Sequence, residues 1–440
     1  MSRAVLLVAI LLALAIAFGG GGTPNPLSEI FLQLLAAGLA MVWIACGLRG
    51  PKDRRISILV AMAVALPAVQ LLPLPPAIWQ ALPGRVLEMD ALRLVDAAQE
   101  WQPFSIAPAL TLASLLSLGP PLLAMVLVAA LPWQDRAIAV RVTLAMALAA
   151  ALLGAAQLAG GPESLRPYPV SHSGWLTGFH ANRNAAADLL LIGLAALFAL
   201  VELRPHKQQA WTAASAALPI VLGIILVAAI ILTGSRAGIA LLILLLAIQL
   251  IRSIPILVAR CGARATALLL GGVAILLLSA GMLLRTNAVL SAIATRFALG
   301  EDARVEIWRD AAFAARSYWP LGSGVGTFVP AFLPAERLGA VDASFPNRAH
   351  NDYLEWMIEG GLPGILLALA GTGIIAAMVR EGWKDDLRRP QMRFALSILL
   401  VIALHSCVDY PLRSMAIACL AGAAIGLLAR SPDRHDARGE

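Results

Sequence analysis

Residues 349–364 read AHNDYLEWMIEGGLPG, a polar segment that runs directly into an apolar helix. The His-Asn-Asp triplet at 350–352 comes just before the apolar residues begin, which predicts that it lies at a membrane surface, at a helix N-terminus. Glu355 and Glu359 follow four residues apart and therefore share one face of the first helical turns. Carboxylates inside a membrane helix are costly, so we expect both to face protein or water rather than lipid.

The composition around this stretch is that of a helical membrane protein. Of the 440 residues, 60% are hydrophobic and 13% are charged, and long apolar runs alternate with short loops that carry arginine. The net charge of +7 does not indicate a nucleic-acid partner, because the basic residues form short clusters between apolar runs, which is a topology signal. The four cysteines have no metal-like spacing, so we predict neither a disulfide nor a metal site.

We predict an all-α polytopic protein with about twelve membrane spans. The spans are 4–18, 27–48, 56–74, 109–131, 137–159, 184–201, 211–233, 237–251, 265–284, 351–379, 394–408 and 412–429. A large loop, 285–349, separates the ninth span from the tenth, and residues 303–318 within it are predicted to be helical. The segment 75–108 is predicted to be amphipathic and to lie in the membrane interface.

Positive charges orient these spans. The side that carries the N-terminus, the loop 49–55 and every second loop after it collects 20 of the 33 Lys and Arg residues, including all three lysines. Counted over short segments the bias is 20 against 6, which predicts that this side is cytoplasmic. Both termini are then inside and the loop 285–349 is outside. A cleaved signal peptide at residues 1–18 stays an alternative to an uncleaved first helix.

Every basic residue assigned to the outer side is an arginine. Arg183 lies in HANRNA, Arg236 lies in the TGSRAG turn, and Arg304 begins the helical part of the long loop. A guanidinium stays charged and offers two parallel donors, which suits a diphosphate near lipid headgroups. The alternative is a membrane anchor or an ion-pair partner. We favour that alternative for Arg309, which has Glu306 and Asp310 close by, and we favour function for Arg236.

His350 is the candidate base on this side. A lone histidine at an interface is more often only a hydrogen-bonding residue. His350, however, comes just before a helix at the predicted outer surface, near arginines, and an imidazole can remove a proton at neutral pH.

Three glycines, Gly322, Gly324 and Gly326, follow the helical part of the long loop. Their spacing could indicate a nucleotide site, but no strand precedes them and the loop is assigned to the outside. We predict that they are turn residues.

The signature HNDYLEWMIEGGLPG at 350–364 resembles that of the O-antigen ligase family of bacterial membrane glycosyltransferases. Other stretches similar to that family are ANRN at 181–184, TGSRAG at 233–238, DARVEIW at 302–308, PLGSGVGTF at 320–328 and DYPLR at 409–413. The resemblance spans about residues 175–430. We therefore divide the chain into N-terminal helices (1–174), a ligase-like catalytic region (175–430) and a cytoplasmic tail (431–440).

The resemblance implies a GT-C-like fold in the bacterial inner membrane and a metal-independent transfer, without a cofactor, at the periplasmic face. The donor would be a glycan on undecaprenyl diphosphate, and the acceptor would be a hydroxyl of lipid A-core or of a growing glycan. By the same resemblance His350 would be the general base, and Arg236 with Arg183 or Arg304 would neutralise the diphosphate. Supporting roles fall to Asn184, Asn351, Glu355, Glu359, Asp409 and Arg413.

Several functions stay open at this point. A polysaccharide polymerase of the same family is the main alternative, and the His-Asn signature favours a ligase over it. A twelve-span transporter of lipid-linked glycan is disfavoured, because carriers place ionisable residues near the membrane midplane, whereas the charges here gather at the outer ends of the spans. A catalytically inert assembly partner is a third alternative.

Overall fold

Helices lie at every predicted span except the ninth, whose residues 265–284 are outside the part of the chain that the structure describes. The structure is a computed structural model, and it describes residues 2–21, 26–161, 164–203, 213–261, 304–341 and 346–432. The helices are α1 (Arg3–Phe18), α2 (Pro26–Ala45), α3 (Arg54–Gln70), α4 (Pro76–Trp79), α5 (Val86–Arg93), α6 (Pro108–Ser117), α7 (Gly119–Ala130), α8 (Ala137–Ala159), α9 (Arg183–Glu202), α10 (Ala213–Leu232), α11 (Arg236–Cys261), α12 (Arg304–Ser317), α13 (Phe328–Phe332), α14 (Asp352–Gly382), α15 (Arg389–His405) and α16 (Met415–Leu428). Short 3₁₀ turns occupy Leu333–Ala335 and Pro411–Arg413.

Within the described residues, six helical stretches are long and apolar enough to cross a membrane. They are Leu27–Ala45, Pro108–Ala130, Ala137–Ala159, Arg183–Glu202, Arg236–Pro255 and Asp352–Gly382. Shorter apolar helices are Arg3–Phe18, Ala217–Leu232 and Met415–Leu428. The molecule is therefore a helical membrane protein by length and composition, while the count of twelve spans stays a prediction.

The predicted fourth span, 109–131, consists of two helices, α6 and α7, that meet at Leu118. Pro120 and Pro121 follow this junction, and a proline has no N–H to donate to the preceding turn. The α-helical hydrogen-bond pattern is therefore interrupted there.

The segment 75–108 is ordered and only partly apolar on its surface. Two-residue strands at Pro73–Leu74 (β1) and Gln102–Pro103 (β2) pair antiparallel and close it into a loop. Trp79 is fully buried beneath this loop and donates to the carbonyl of Glu100 at 3.0 Å, whereas α5 has no buried residue. The amphipathic character of the segment and its placement in a membrane interface both stay predictions.

Helix α9 lies at the centre of the bundle and packs against α8, α10, α11 and α15. Its sequence is apolar all round, with Ala and Gly on most turns, which is typical of a helix with neighbours on every side. A Cβ atom at Gly193 would lie 2.3 Å from the Cβ of Ala147 on α8, so the two helices approach closely there. This position brings the N-terminus of α9 beside the ends of α14 and α15.

Helices α7 and α16 pack through a pair of glycines four residues apart, Gly422 and Gly426. Added Cβ atoms would lie 2.1 Å and 2.6 Å from backbone carbonyl oxygens of α7. Both helices end beside Arg136, which is fully buried and donates to carbonyl groups at their two C-termini. A cation at that place satisfies carbonyl groups that the helices leave without intrahelical donors.

A kink in α14 at Gly361 brings two glycine-containing stretches together, residues 360–364 and residues 320–328. Gly361 has φ +55°, and the carbonyl groups of Ile358 and Glu359, released from the helix there, accept from the N–H groups of Ser323 and Gly324 at 2.9 Å and 3.0 Å. The prediction that the glycines of 320–328 are turn residues is confirmed, since all three have positive φ. A Cβ at Gly322 would lie 2.6 Å from the Glu359 carbonyl oxygen, so this backbone contact requires glycine.

Candidate functional site

The polar residues of 349–352 are fixed between the loop helix α12 and the C-terminal end of α15. Asn351 caps α14 by accepting from Leu354 N–H at 3.0 Å, and its amide donates to the Cys407 carbonyl at 3.0 Å. Trp308 on α12 donates from Nε1 to the Ala349 carbonyl at 2.9 Å. The predicted helix within 303–318 is therefore confirmed, and it holds the residue that precedes His350.

His350 forms a pair with Asp409, the first residue of the DYPLR motif. Nδ1 of His350 is 3.2 Å from Oδ1 of Asp409. The side chain of His350 is 28% exposed, whereas that of Asp409 is 4% exposed, so the imidazole lies between the carboxylate and the surface. Asn184 donates to the other carboxylate oxygen, and the Tyr410 ring lies 4.9 Å from the imidazole. The backbone of His350 itself has φ +50°, an uncommon conformation for a residue with a side chain.

The surroundings keep Asp409 ionised. Burial raises the pKa of this carboxyl, but the hydrogen bond with His350 and the positive charges of His405 and Arg304 outweigh it, so the pKa of Asp409 lies below its usual value. Burial raises the pKa of the Tyr410 phenol to about 12, so this ring stays neutral beside the pair. A carboxylate behind a half-buried imidazole orients the ring and stabilises an imidazolium when one forms.

Glu355 and Glu359 face protein, as predicted, and both are fully buried. Arg413 lies between them, with Nη2 2.7 Å from Oε1 of Glu355 and 2.9 Å from Oε2 of Glu359. Arg348 adds a second cation, 2.8 Å from Glu355. Backbone N–H groups of Ala349 and Phe328 donate to the remaining carboxylate oxygens at 3.2 Å. These four charged side chains, Arg348, Glu355, Glu359 and Arg413, stabilise the segment that carries His350.

The predicted diphosphate arginines fall into two places. Arg183 stacks over the ring of Trp175 at 5.1 Å, and that ring packs directly on Gly234, so the ANRN and TGSRAG motifs meet through one tryptophan. Arg236 begins α11 two residues after Gly234. Arg304 begins α12, and its positive charge contributes to the lowered pKa of the Asp409 carboxyl.

Arg309, predicted to form an ion pair, is 3.5 Å from Glu306, with side chains 62% and 50% exposed. That prediction is confirmed. The neighbouring Asp310 is held instead by Arg337 at 2.5 Å.

Sequence reasoning missed a second buried pair, His405 with Asp188. Nδ1 of His405 is 2.6 Å from Oδ1 of Asp188, and each side chain is 1% exposed. The sequence contains a partial indication of this pair. Asp188 lies one helical turn after Asn184, and His405 lies one turn before Asp409, so each is expected on the same face as a residue of the His350 site. Pairing across two distant helices has no local signature.

A small cavity adjoins both pairs. Its volume is about 20 Å³, and Asn182, Asp188, Asp409, Tyr410 and Arg413 are among its lining residues. A space of this size holds one water molecule where polar groups line it. Among the described residues, no group of three or more His, Cys, Asp or Glu side chains could hold a metal ion.

Comparison with known proteins gives one match. The family model described as O-antigen ligase matches residues 221–369, about a third of the chain, which include TGSRAG, the loop helix and the His350 signature. No curated protein and no solved structure matches. The ANRN and DYPLR motifs lie outside the matched segment, although the structure brings both to the same site. The resemblance inferred from the motifs is therefore confirmed for residues 221–369, which make up an O-antigen ligase-like segment of this chain.

Proposed function

We propose that this protein is a membrane glycosyltransferase that moves a glycan from undecaprenyl diphosphate to a hydroxyl acceptor at the periplasmic face of the bacterial inner membrane. The reaction is of the O-antigen ligase type, with lipid A-core as the acceptor and no metal ion or cofactor. The bilayer is the third partner, since donor and acceptor are both lipid-anchored.

The His350–Asp409 pair is the observation that carries this proposal. Nδ1 of the partly exposed imidazole faces a buried carboxylate that is held ionised, which leaves Nε2 for a hydroxyl arriving from the surface. A pair of this kind is suited to accept the proton of an alcohol.

The reaction then proceeds in one displacement. The acceptor oxygen forms a bond to the anomeric carbon of the donor glycan while its proton passes to Nε2 of His350. The bond from that carbon to the diphosphate oxygen breaks, and its electron pair leaves with undecaprenyl diphosphate. Three guanidinium groups then stabilise the charge that develops on the leaving group: those of Arg304, whose charge acts on Asp409, of Arg183 over Trp175, and of Arg236 at the start of α11.

The direct test measures transfer in a purified system. Undecaprenyl-diphosphate glycan is supplied with lipid A-core, or with a second lipid-linked glycan as the polymerase acceptor. We expect wild-type transfer to lipid A-core and loss of transfer in His350→Ala and Arg236→Ala. Arg309→Gln, an exposed arginine of the long loop, serves as the matched control and should keep its activity. Unchanged rates in both active-site variants would refute the mechanism, and transfer only to lipid-linked glycan would identify a polymerase.

Cysteine labelling tests the predicted orientation of the chain in the membrane. Gly50 and Gly339 are exposed, and a Cβ atom at either position would meet no atom within 4 Å, so both accept a cysteine. On a background without the native cysteines, a membrane-impermeant maleimide added to spheroplasts should label Gly339→Cys, and it should label Gly50→Cys only after the membrane is opened. The opposite pattern would place His350 in the cytosol and end the proposal.

A further inference from the structure

Behind the His350–Asp409 pair lies the second imidazole–carboxylate pair, His405 and Asp188. Nε2 of His405 is 4.0 Å from Oδ2 of Asp409, the carboxylate whose other oxygen faces His350. Asp409 therefore lies between two imidazoles, of which one is partly exposed and the other is buried.

The charges around His405 favour its protonated form. Its Nδ1 is 2.6 Å from one buried carboxylate, that of Asp188, and its Nε2 faces a second, that of Asp409. A buried carboxylate needs a cation or several donors to stay ionised, and the imidazolium of His405 supplies that cation. Arg304 of α12 is the opposing positive charge in this neighbourhood. The effect of Arg304 on His405 is smaller than that of either carboxylate, which lie at 2.6 Å and 4.0 Å.

The cavity beside the pair strengthens this arrangement. Asp188 and Asp409 both line it, and its volume of about 20 Å³ accommodates one water molecule. Oδ2 of Asp188 has no hydrogen-bond partner within the described part of the chain. A water in the cavity would donate to that oxygen and to Asp409, and both hydrogen bonds favour the ionised form of the carboxylate that accepts them.

We propose that Asp188 and His405 are positioning residues that hold a positive charge beside Asp409 and so weaken the attraction of Asp409 for a proton on His350. His350 then stays neutral, and able to accept the proton of the acceptor hydroxyl, at a lower pH than the His350–Asp409 pair alone would allow. This inference rests on the proposed function, in which His350 is the base.

The distances set the size of the effect. From Nε2 of His405 to Nδ1 of His350 the path through the Asp409 carboxylate is about 9 Å, given the separations of 4.0 Å and 3.2 Å on its two sides. A unit charge at that distance, in a medium of effective dielectric constant about 20, shifts the titration of a neighbouring group by about one pH unit.

The test compares pH–rate profiles. In His405→Gln we expect the acid-side midpoint of transfer to move up by about one pH unit, because His350 then binds its proton more readily, while the rate at alkaline pH changes much less. Asp188→Asn removes a negative charge together with the partner that keeps His405 protonated, so we expect its shift to be smaller than that of His405→Gln. The double variant should match Asp188→Asn, because neither charge of the pair is then present. Thr143→Val, a buried polar residue on α8 that bonds only to its own helix in the described contacts, is the control and should not shift the profile. A uniform loss of rate without a shift would show a structural role and overturn the proposal.

A second measurement does not depend on activity. Diethyl pyrocarbonate modifies neutral imidazoles, and mass spectrometry of the peptide that contains His350 follows its modification as a function of pH. The modification midpoint should rise by about one unit in His405→Gln relative to wild type, and an unmoved midpoint would overturn the inference. If the midpoint rises in His405→Gln but the wild-type protein transfers no glycan, the proposed function is refuted and the charge coupling stands.

Discussion

Arg413 is predicted to be indispensable for folding rather than for direct contact with substrate. Its guanidinium lies 2.7 Å from Glu355 and 2.9 Å from Glu359, and both carboxylates are fully buried. In Arg413→Met, Glu355 keeps Arg348 at 2.8 Å, whereas Glu359 keeps the N–H of Phe328 at 3.2 Å and loses its close cation. Removing one partner of a buried ion pair destabilises a protein by about 3–5 kcal/mol, because a charge is left buried without compensation.

The decisive comparison is the double variant Arg413→Met/Glu359→Gln. It removes the stranded charge together with its cation, so we expect it to recover more than about half of the lost stability. The assay is unfolding in detergent micelles, with the free energy of unfolding compared across wild type, the two single variants and the double variant. Arg309→Gln is the matched control, and it should change the free energy by less than about 1 kcal/mol because that ion pair is exposed.

Additive costs for the two single changes would refute this reasoning, since groups that share no interaction add within about 0.5 kcal/mol. Stability that is normal in Arg413→Met, with transfer alone abolished, would also contradict it and would point to a role for Arg413 in binding the diphosphate.

Three further predictions concern other parts of the site. Asp409→Asn should lower the transfer rate by about 10²–10⁴-fold while the melting temperature stays near that of wild type. An unchanged rate in the purified system would contradict the catalytic role of the His350–Asp409 pair. Gly361→Ala should destabilise the protein by at least about 2 kcal/mol, because the φ of Gly361 is +55° and the new Cβ would lie 2.4 Å from the Pro320 carbonyl oxygen. The control is Gly373→Ala on the same helix, where a Cβ meets no atom within 4 Å, and it should be tolerated in the same melting assay. Equal melting temperatures for the two variants would contradict the prediction. Burial lowers the pKa of His180 to about 4, so the unfolded chain gains a proton below pH 6.5 that the folded protein excludes. The free energy of unfolding should be highest above pH 6.5 and should fall by up to about 3 kcal/mol as the pH drops toward 4. His180→Met should remove this part of the pH dependence in melts recorded across that range. An unchanged pH dependence would show that His180 is not the group responsible.

Much of the local structure could be read from the sequence. Apolar runs separated by polar turns located the helices α8, α9 and α14 within a few residues. The spacing of Glu355 and Glu359 predicted a shared helix face, and the cost of a carboxylate in lipid predicted that this face meets protein or water; the structure shows that it meets protein. Hydropathy, helical periodicity and the conformational freedom of glycine act over a few residues, so a single segment reveals them.

The division of the fourth predicted span into α6 and α7 was overlooked. Its signal, two adjacent prolines at 120–121, was present, but the apolar run around them is continuous and hides the break. Hydropathy measures transfer into lipid and carries no information on whether the backbone hydrogen bonds continue.

The sequence by itself determined which segments become helices, which of the charges in them must face protein, and which glycines occupy turns, because each of these follows from interactions between residues close in the chain. Only the tertiary structure decided that Asn184, His350, His405 and Asp409 share one site, since they belong to three helix ends separated by up to 225 residues. Their meeting depends on how closely α9 packs against α15 and how the α14 kink interlocks with residues 320–326. Packing of this kind is a property of surfaces that exist only after the helices have formed.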